Sequence, residues 1–226
     1  MIRIPLKRFL AGSVALAALA ALCALAVPRG LADLAAFDPR QALWRSGHAF
    51  PAPASPEWTR GRDLLKAALA RDPANAGLAE NLAAWYERAA LRMPPKNPVA
   101  RAYLQQSLEY LQRAAVLRPG SPYTWSNIAL VKLRLGATDA EFARAVENAA
   151  QLGPWEPEVQ LGLAEVLFAA AEQLPAAVRS AAGSVVVNGL TRHDAYLFER
   201  ATANGRLAVL CALPGVARSK LALRCI

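Results

Sequence analysis

The sequence predicts an all-α protein: an N-terminal transmembrane helix, then an α-solenoid of about three helical hairpins, then further C-terminal helices. Three observations predict it. The chain is 55% hydrophobic but only 7% aromatic, and its apolar content is mostly Ala and Leu, both strong helix formers. Residues 9–27, FLAGSVALAALAALCALAV, run without a charge. The turns RPGSPYTW (118–125) and GPWEPEVQ (153–160) place Pro119 and Pro122 each 35 positions before Pro154 and Pro157.

The N-terminal element comes first. Arg3, Lys7 and Arg8 precede the uncharged run, which is 19 residues long and fits a spanning helix better than a signal-peptide core of about 7–15 residues. Ala24-Leu25-Ala26 leaves signal cleavage open as an alternative, and Leu22 before Cys23 disfavours lipid modification. Basic residues remain in the cytoplasm. The expected topology is therefore a single-pass inner-membrane protein of a bacterium, with residues 1–8 cytoplasmic, 9–27 the anchor, and the rest periplasmic. An oxidising compartment admits a disulfide between Cys211 and Cys225, with two buried thiols as the alternative.

Residues 28–56 form a membrane-proximal segment ending in the linker SGHAFPAPASP. A helical domain is expected over 57–190 and a helical cap over 191–226. Ser55-Pro56, Asn97-Pro98 and Ser121-Pro122 each pair an N-cap residue with proline at the first helical position, where its missing N–H costs nothing. The repeated P-x-x-P therefore reads as a turn, Pro154 closing one helix and Pro157 opening the next, rather than as a polyproline ligand. Trp155 stands where the earlier turn has Gly120, and is expected to wedge between helical pairs; an exposed anchor for a partner is the alternative. Over 122–135 an apolar stripe runs through Trp125, Ile128, Ala129 and Leu133, and Gly136 suits the left-handed position after a helix. Thr138 with Glu141 reads as a capping box opening a second helix, whose apolar face is Phe142, Ala145, Val146 and Ala149. The β-branched run 184–188, SVVVN, reads as a helix end and a turn.

This 35-residue pattern resembles the tetratricopeptide repeat over about 57–173. Trp125, Asn127, Ile128, Ala129 and Gly136 fall on its consensus positions, as do Asn81, Leu82, Ala83 and Tyr86 in an earlier copy; a third copy keeps Leu163 and Ala164. The arrangement of LARDPANAGLAENLAAWYE, SLEYLQRAAVLRPGSPYTWSNIALVKLRLG and GRLAVLCALPG behind a membrane segment also resembles the VpsP-type proteins of bacterial exopolysaccharide systems. That resemblance implies a periplasm-facing scaffold that binds an envelope protein of a polysaccharide synthesis or export complex, without turnover of its own. In such repeats the asparagine before the large-small pair faces the inner groove. Asn81 and Asn127 occupy this position, Gly162 replaces it in the third copy, and Tyr123, Ser126, Leu130 and Arg134 belong to the same candidate partner-binding face with Trp155 as a further candidate.

Other classes find less support. The net charge is +9; setting aside the three N-terminal cations leaves 23 basic against 17 acidic residues, +6, scattered without a basic tract, so nucleic acid is not an expected partner. No phosphate-binding glycine motif indicates a nucleotide, and no C-x-x-C accompanies His48 and His193 to suggest a metal, so no cofactor is expected. His193 and Asp194 are adjacent, and neighbours on a helix point apart. No catalytic residues are assigned. A chaperone of another envelope pathway, such as cytochrome maturation or cell-wall assembly, remains an alternative; a carbohydrate-modifying enzyme using Glu165 is a third.

Overall fold

The structure is a computed structural model that describes residues 6–44, 50–216 and 225, with side chains from Gly12 onward. Arg3 and His48 lie outside the described residues. Among the described residues the chain is all-helical, with no strand. The helices are α1 (Leu6–Trp44), α2 (Pro56–Arg71), α3 (Ala76–Leu91), α4 (Pro98–Leu117), α5 (Pro122–Leu135), α6 (Ala140–Leu152), α7 (Pro157–Ala170), α8 (Ala176–Ala203) and α9 (Leu207–Cys211), with a 3₁₀ turn at Ala171–Gln173. The chain divides into two compact units, Met1–Asn81 and Leu82–Ile226. The division falls inside α3, not at the linker before residue 57.

In the first unit, α1 is long and apolar enough to cross a membrane. Its residues 9–27 would span about 28 Å as a helix, close to the ~30 Å of a bilayer's hydrocarbon core. Val14, Leu16, Leu19 and Leu22 are all exposed, so no protein covers this part of the helix. The membrane-proximal segment does not leave the helix at residue 28. It continues to Trp44 through Pro28 and Pro39. Ala32, Ala36, Pro39 and Leu43 are buried at spacings of four, three and four, one face of a helix. That face is the physical reason for the extension, because α1 packs on α2, whose Trp58, Leu65, Ala68 and Leu69 are buried in turn. Arg29 adds an ion pair to Asp72 at 3.9 Å.

The expected helix starts follow from local chemistry. Ser55, Asn97 and Ser121 each accept a backbone N–H with their side chains, and a proline follows each. Gly136 has φ +72°, and α5 ends there. One cap differs from expectation. Asp139, not Thr138, caps α6, accepting the N–H of Phe142 at 3.0 Å. Glu141 does not reach back to a capping residue because Lys132 holds it, at 2.6 Å.

The second unit contains one continuous core. In it α5 packs on α4, α6 and α7, α6 also packs on α8, and α7 packs on α8. Tyr86 of α3 meets Tyr103 edge-on and stacks on Tyr110 of α4, with centroids 5.5 and 6.0 Å away. Close approach depends on glycine at two crossings. A Cβ on Gly162 of α7 would lie 2.4 Å from Ser126 Oγ of α5, and one on Gly153 would lie 2.6 Å from Cβ of Pro122. The segment 184–188 is neither a helix end nor a turn. It lies inside α8, which also carries the helix past residue 190. Val185 and Val186 are buried core residues, and burial there outweighs the weak helix propensity of a β-branched run. The departure from helical dihedrals comes later, at His193. Cys211 of α9 is joined to Cys225 by a disulfide, Cα–Cα 5.6 Å.

Candidate partner-binding face

The sequence-derived site residues divide between the two units. Asn81 belongs to the first, half-buried on α3. The others belong to the second. On α5, Tyr123, Asn127, Leu130 and Arg134 recur at spacings of four, three and four, which places them along one side of the helix. Tyr123 and Asn127 are exposed, and Leu130 and Arg134 are half-buried. Ser126 does not share this accessibility. It is only 4% exposed, closed over by Gly162 where α5 crosses α7.

Arg134 is the polar centre of this side. Its guanidinium donates to Glu87 of α3 and, at 3.4 Å, to Glu165 of α7. One α5 cation thus bridges carboxylates on two other helices. Burial pushes the Glu87 carboxyl above its ordinary value; Arg134 pulls it back and Glu165 pushes it further up. The arginine is therefore already engaged, not a free cation awaiting a partner's carboxylate. A second α5–α7 link lies one helix end away, where the Tyr123 hydroxyl donates to Glu156. That hydrogen bond, before burial, pushes the phenol's pKa up. Glu156 stands at the N-cap of α7 but makes no side-chain cap bond. Glu87 and Glu165 thus meet Arg134 while Glu156 meets Tyr123, and Tyr123 and Asn127 are the exposed hydrogen-bonding groups of this side of α5.

Trp155 is not a wedge between helical pairs. It is 65% exposed. Its turn is secured through backbone carbonyls. Pro154 O accepts from Gln160 Nε2 at 3.2 Å and Asn188 Nδ2 at 3.3 Å, and Trp155 O accepts from Arg192 at 3.2 Å. At the preceding turn an indole does this work instead: Trp125 Nε1 donates to Pro119 O at 2.7 Å.

Sequence reasoning missed Glu87, and weighed Glu156 with Glu158 and Glu165 only as possible paired carboxylates, the first two more simply as acids at a helix N-terminus. The signal for Glu156 was its position, one residue before Pro157, where Ser121 stands before Pro122 and caps its helix. Glu87 gave no local signal, since its partner Arg134 is 47 residues away. A second polar centre was also missed. Lys132 is 4% exposed and binds Asp139 at 2.9 Å and Glu141 at 2.6 Å, while Gln112 of α4 donates to Glu141 at 2.8 Å. This group ties α4, α5 and α6 together and has a structural role. Asp194 accepts from the N–H of Ala195, and His193 Nε2 is buried without a partner among the described residues. Among the described residues, no three His, Cys, Asp or Glu side chains gather as a metal site would require. In comparisons with known proteins, no family model, no curated protein and no solved structure matches the chain.

Proposed function

We propose that this chain is a membrane-anchored periplasmic scaffold that binds a protein partner through the α3–α5–α7 side of its second unit. The observation that carries the reading is the packing of α5 on both α6 and α7, with α6 on α8. Contacts to the next helix and to the one after it are what stacked, tetratricopeptide-like hairpins make, and such stacks serve as binding surfaces. The lipid-facing stretch of α1 supplies the anchor. Arg3, Lys7 and Arg8 favour a cytoplasmic N-terminus, which would leave the second unit in the periplasm, and the Cys211–Cys225 disulfide suits that compartment. With Arg134 already bridged to Glu87 and Glu165, the exposed Tyr123 and Asn127 are the groups this side offers to a partner's polar surface.

The resemblance to VpsP-type proteins supports a partner in an exopolysaccharide synthesis or export complex. A tagged full-length chain purified from native membranes is expected to retain an envelope protein of that system. Deletion is expected to reduce exopolysaccharide, and Tyr123→Ala with Asn127→Ala to lose the partner while the chain stays folded. A deletion strain with unchanged polymer, together with an empty pull-down, would discard the proposal. Capture of haem-handling or cell-wall proteins would select the other envelope pathways instead. Alkaline phosphatase fused at the C-terminus should be active, and inactive fusions would contradict the topology.

A further inference from the structure

A cleft of about 400 Å³ lies in the second unit, between the end of α7, the 3₁₀ turn, the start of α8, and α9. This size falls in the range of pockets that hold small organic ligands, roughly 300–1,000 Å³. Its apolar walls come from Leu167 of α7, Val209 of α9, and Leu213 and Pro214 just beyond α9. Leu213 seats against Gly183 of α8, where a Cβ would come within 2.9 Å of its side chain. The Cys211–Cys225 bond closes the chain segment that carries this wall.

The polar groups of the cleft are not balanced. Arg179 and Arg206 both line it, and among the described lining residues Glu172 is the one carboxylate. Glu172 lies 3.9 Å from Arg206 and is 86% exposed, so water screens the pair and it contributes little. Arg179 donates to Ala171 O at 3.3 Å, and among the described residues most of its five donors have no further partner. An apolar pocket with two guanidiniums beside it offers an aliphatic chain a dry wall and its head group forked N–H donors.

We infer that this cleft binds a molecule with a single anionic head on an aliphatic chain, the chain against Leu167, Val209 and Leu213 and the head between Arg179 and Arg206. A carboxylate and a phosphate share this chemistry, and the test separates the two sources. The full-length chain in nanodiscs is exposed to octanoate, octyl phosphate or octanol, and backbone hydrogen exchange is followed by mass spectrometry against the same sample without ligand. Octanoate is expected to slow exchange in peptides covering 206–214 and 176–183, and octanol is not. Octyl phosphate protecting at lower concentration than octanoate would identify a lipid phosphate as the source. Arg206→Gln, at a half-exposed position, should raise the concentration needed by about tenfold or more, the size of one lost charge-assisted hydrogen bond. Ala169→Trp, at an exposed wall residue, should abolish protection without lowering the melting temperature. Equal protection by octanol, protection unchanged in both variants, or no protection by either anion at millimolar concentration would overturn the inference.

Discussion

Replacing Lys132 tests whether the buried charge group holds the second unit together. Lys132→Met keeps most of the apolar stem and removes the ammonium. In the wild type that ammonium bonds two carboxylates, at 2.6 and 2.9 Å, and its side chain is 4% exposed. Stripping one partner from a fully buried pair costs about 3–5 kcal/mol. Here the carboxylates left behind reach water, with Glu141 29% and Asp139 56% exposed, so the expected loss falls to about 2 kcal/mol. A unit of this size should then melt roughly 4–8 °C lower. The pH dependence separates charge from packing. Burial raises the Glu141 carboxyl, but hydrogen bonds from Lys132 and Gln112 outweigh it and hold the group below its ordinary value. Asp139 is also held low, first by the N–H of Phe142 and then by Lys132. Depressed carboxylates contribute stability that is complete above the unfolded value, about 4, and is lost as pH falls through the folded one. For Lys132, burial lowers the pKa, yet its bonds to Glu141 and Asp139 outweigh that and raise it. Its contribution is complete below about 10.4 and is lost as pH rises through the folded value. The gap between wild type and Lys132→Met should therefore be flat from about pH 5 to 10 and shrink toward pH 3. The assay is thermal unfolding of the detergent-solubilised chain followed by circular dichroism at each pH. A gap that persists unchanged at pH 3 would assign the effect to packing and refute the electrostatic account.

Gly162→Ala should cost about 1–3 kcal/mol, because its Cβ would sit 2.4 Å from Ser126 Oγ; adding Ser126→Ala should restore part of the loss, measurable as a coupling energy in urea unfolding. Ser121→Ala should cost about 1–2 kcal/mol, since the buried hydroxyl accepts both the N–H and the hydroxyl of Thr124, and the shift in denaturation midpoint reads it directly. Glu87, raised chiefly by burial, binds its proton more tightly when folded, so its ionisation costs stability as pH rises through the window above its unfolded value of about 4.3. Glu87→Gln should accordingly change neutral-pH stability by less than about 1 kcal/mol, whereas Arg134→Met should lose about 2 kcal/mol at pH 7 and recover on acidification; equal effects of the two variants at pH 7 would remove the ion bridge as a stabilising element.

What could be read from the sequence was chemistry that acts within one turn of chain. Ser55, Asn97 and Ser121 cap their helices because cap and proline are adjacent in sequence. Gly136 is left-handed for a similarly local reason. Where the reading failed, a residue from another helix had intervened. Thr138 and Glu141 have capping-box spacing, but Lys132 on the preceding helix offers Glu141 a charged partner, and Asp139 is left to cap alone. Gly183 and Gly189 flank 184–188 and look like breakers. In the structure they are thin places where Leu213 and Gln160 press against α8, and the valines between them are core.

Trp155 shows the same limit at the candidate site. Comparing it with Gly120 suggested that a large side chain had been added to fill a gap between helical pairs. Asn188 and Arg192 hold that turn by its carbonyls from 34 and 37 residues away. The indole itself is largely exposed, unlike Trp125, whose N–H fastens the turn before it. Arg134 makes the converse point. From sequence it was a cation on an open face. In three dimensions it is the bridge between α3 and α7, its charge already met by Glu87 and Glu165. Residue spacing places Tyr123, Asn127, Leu130 and Arg134 along one side of α5, but the bonds those side chains make are decided by partners that no local window contains.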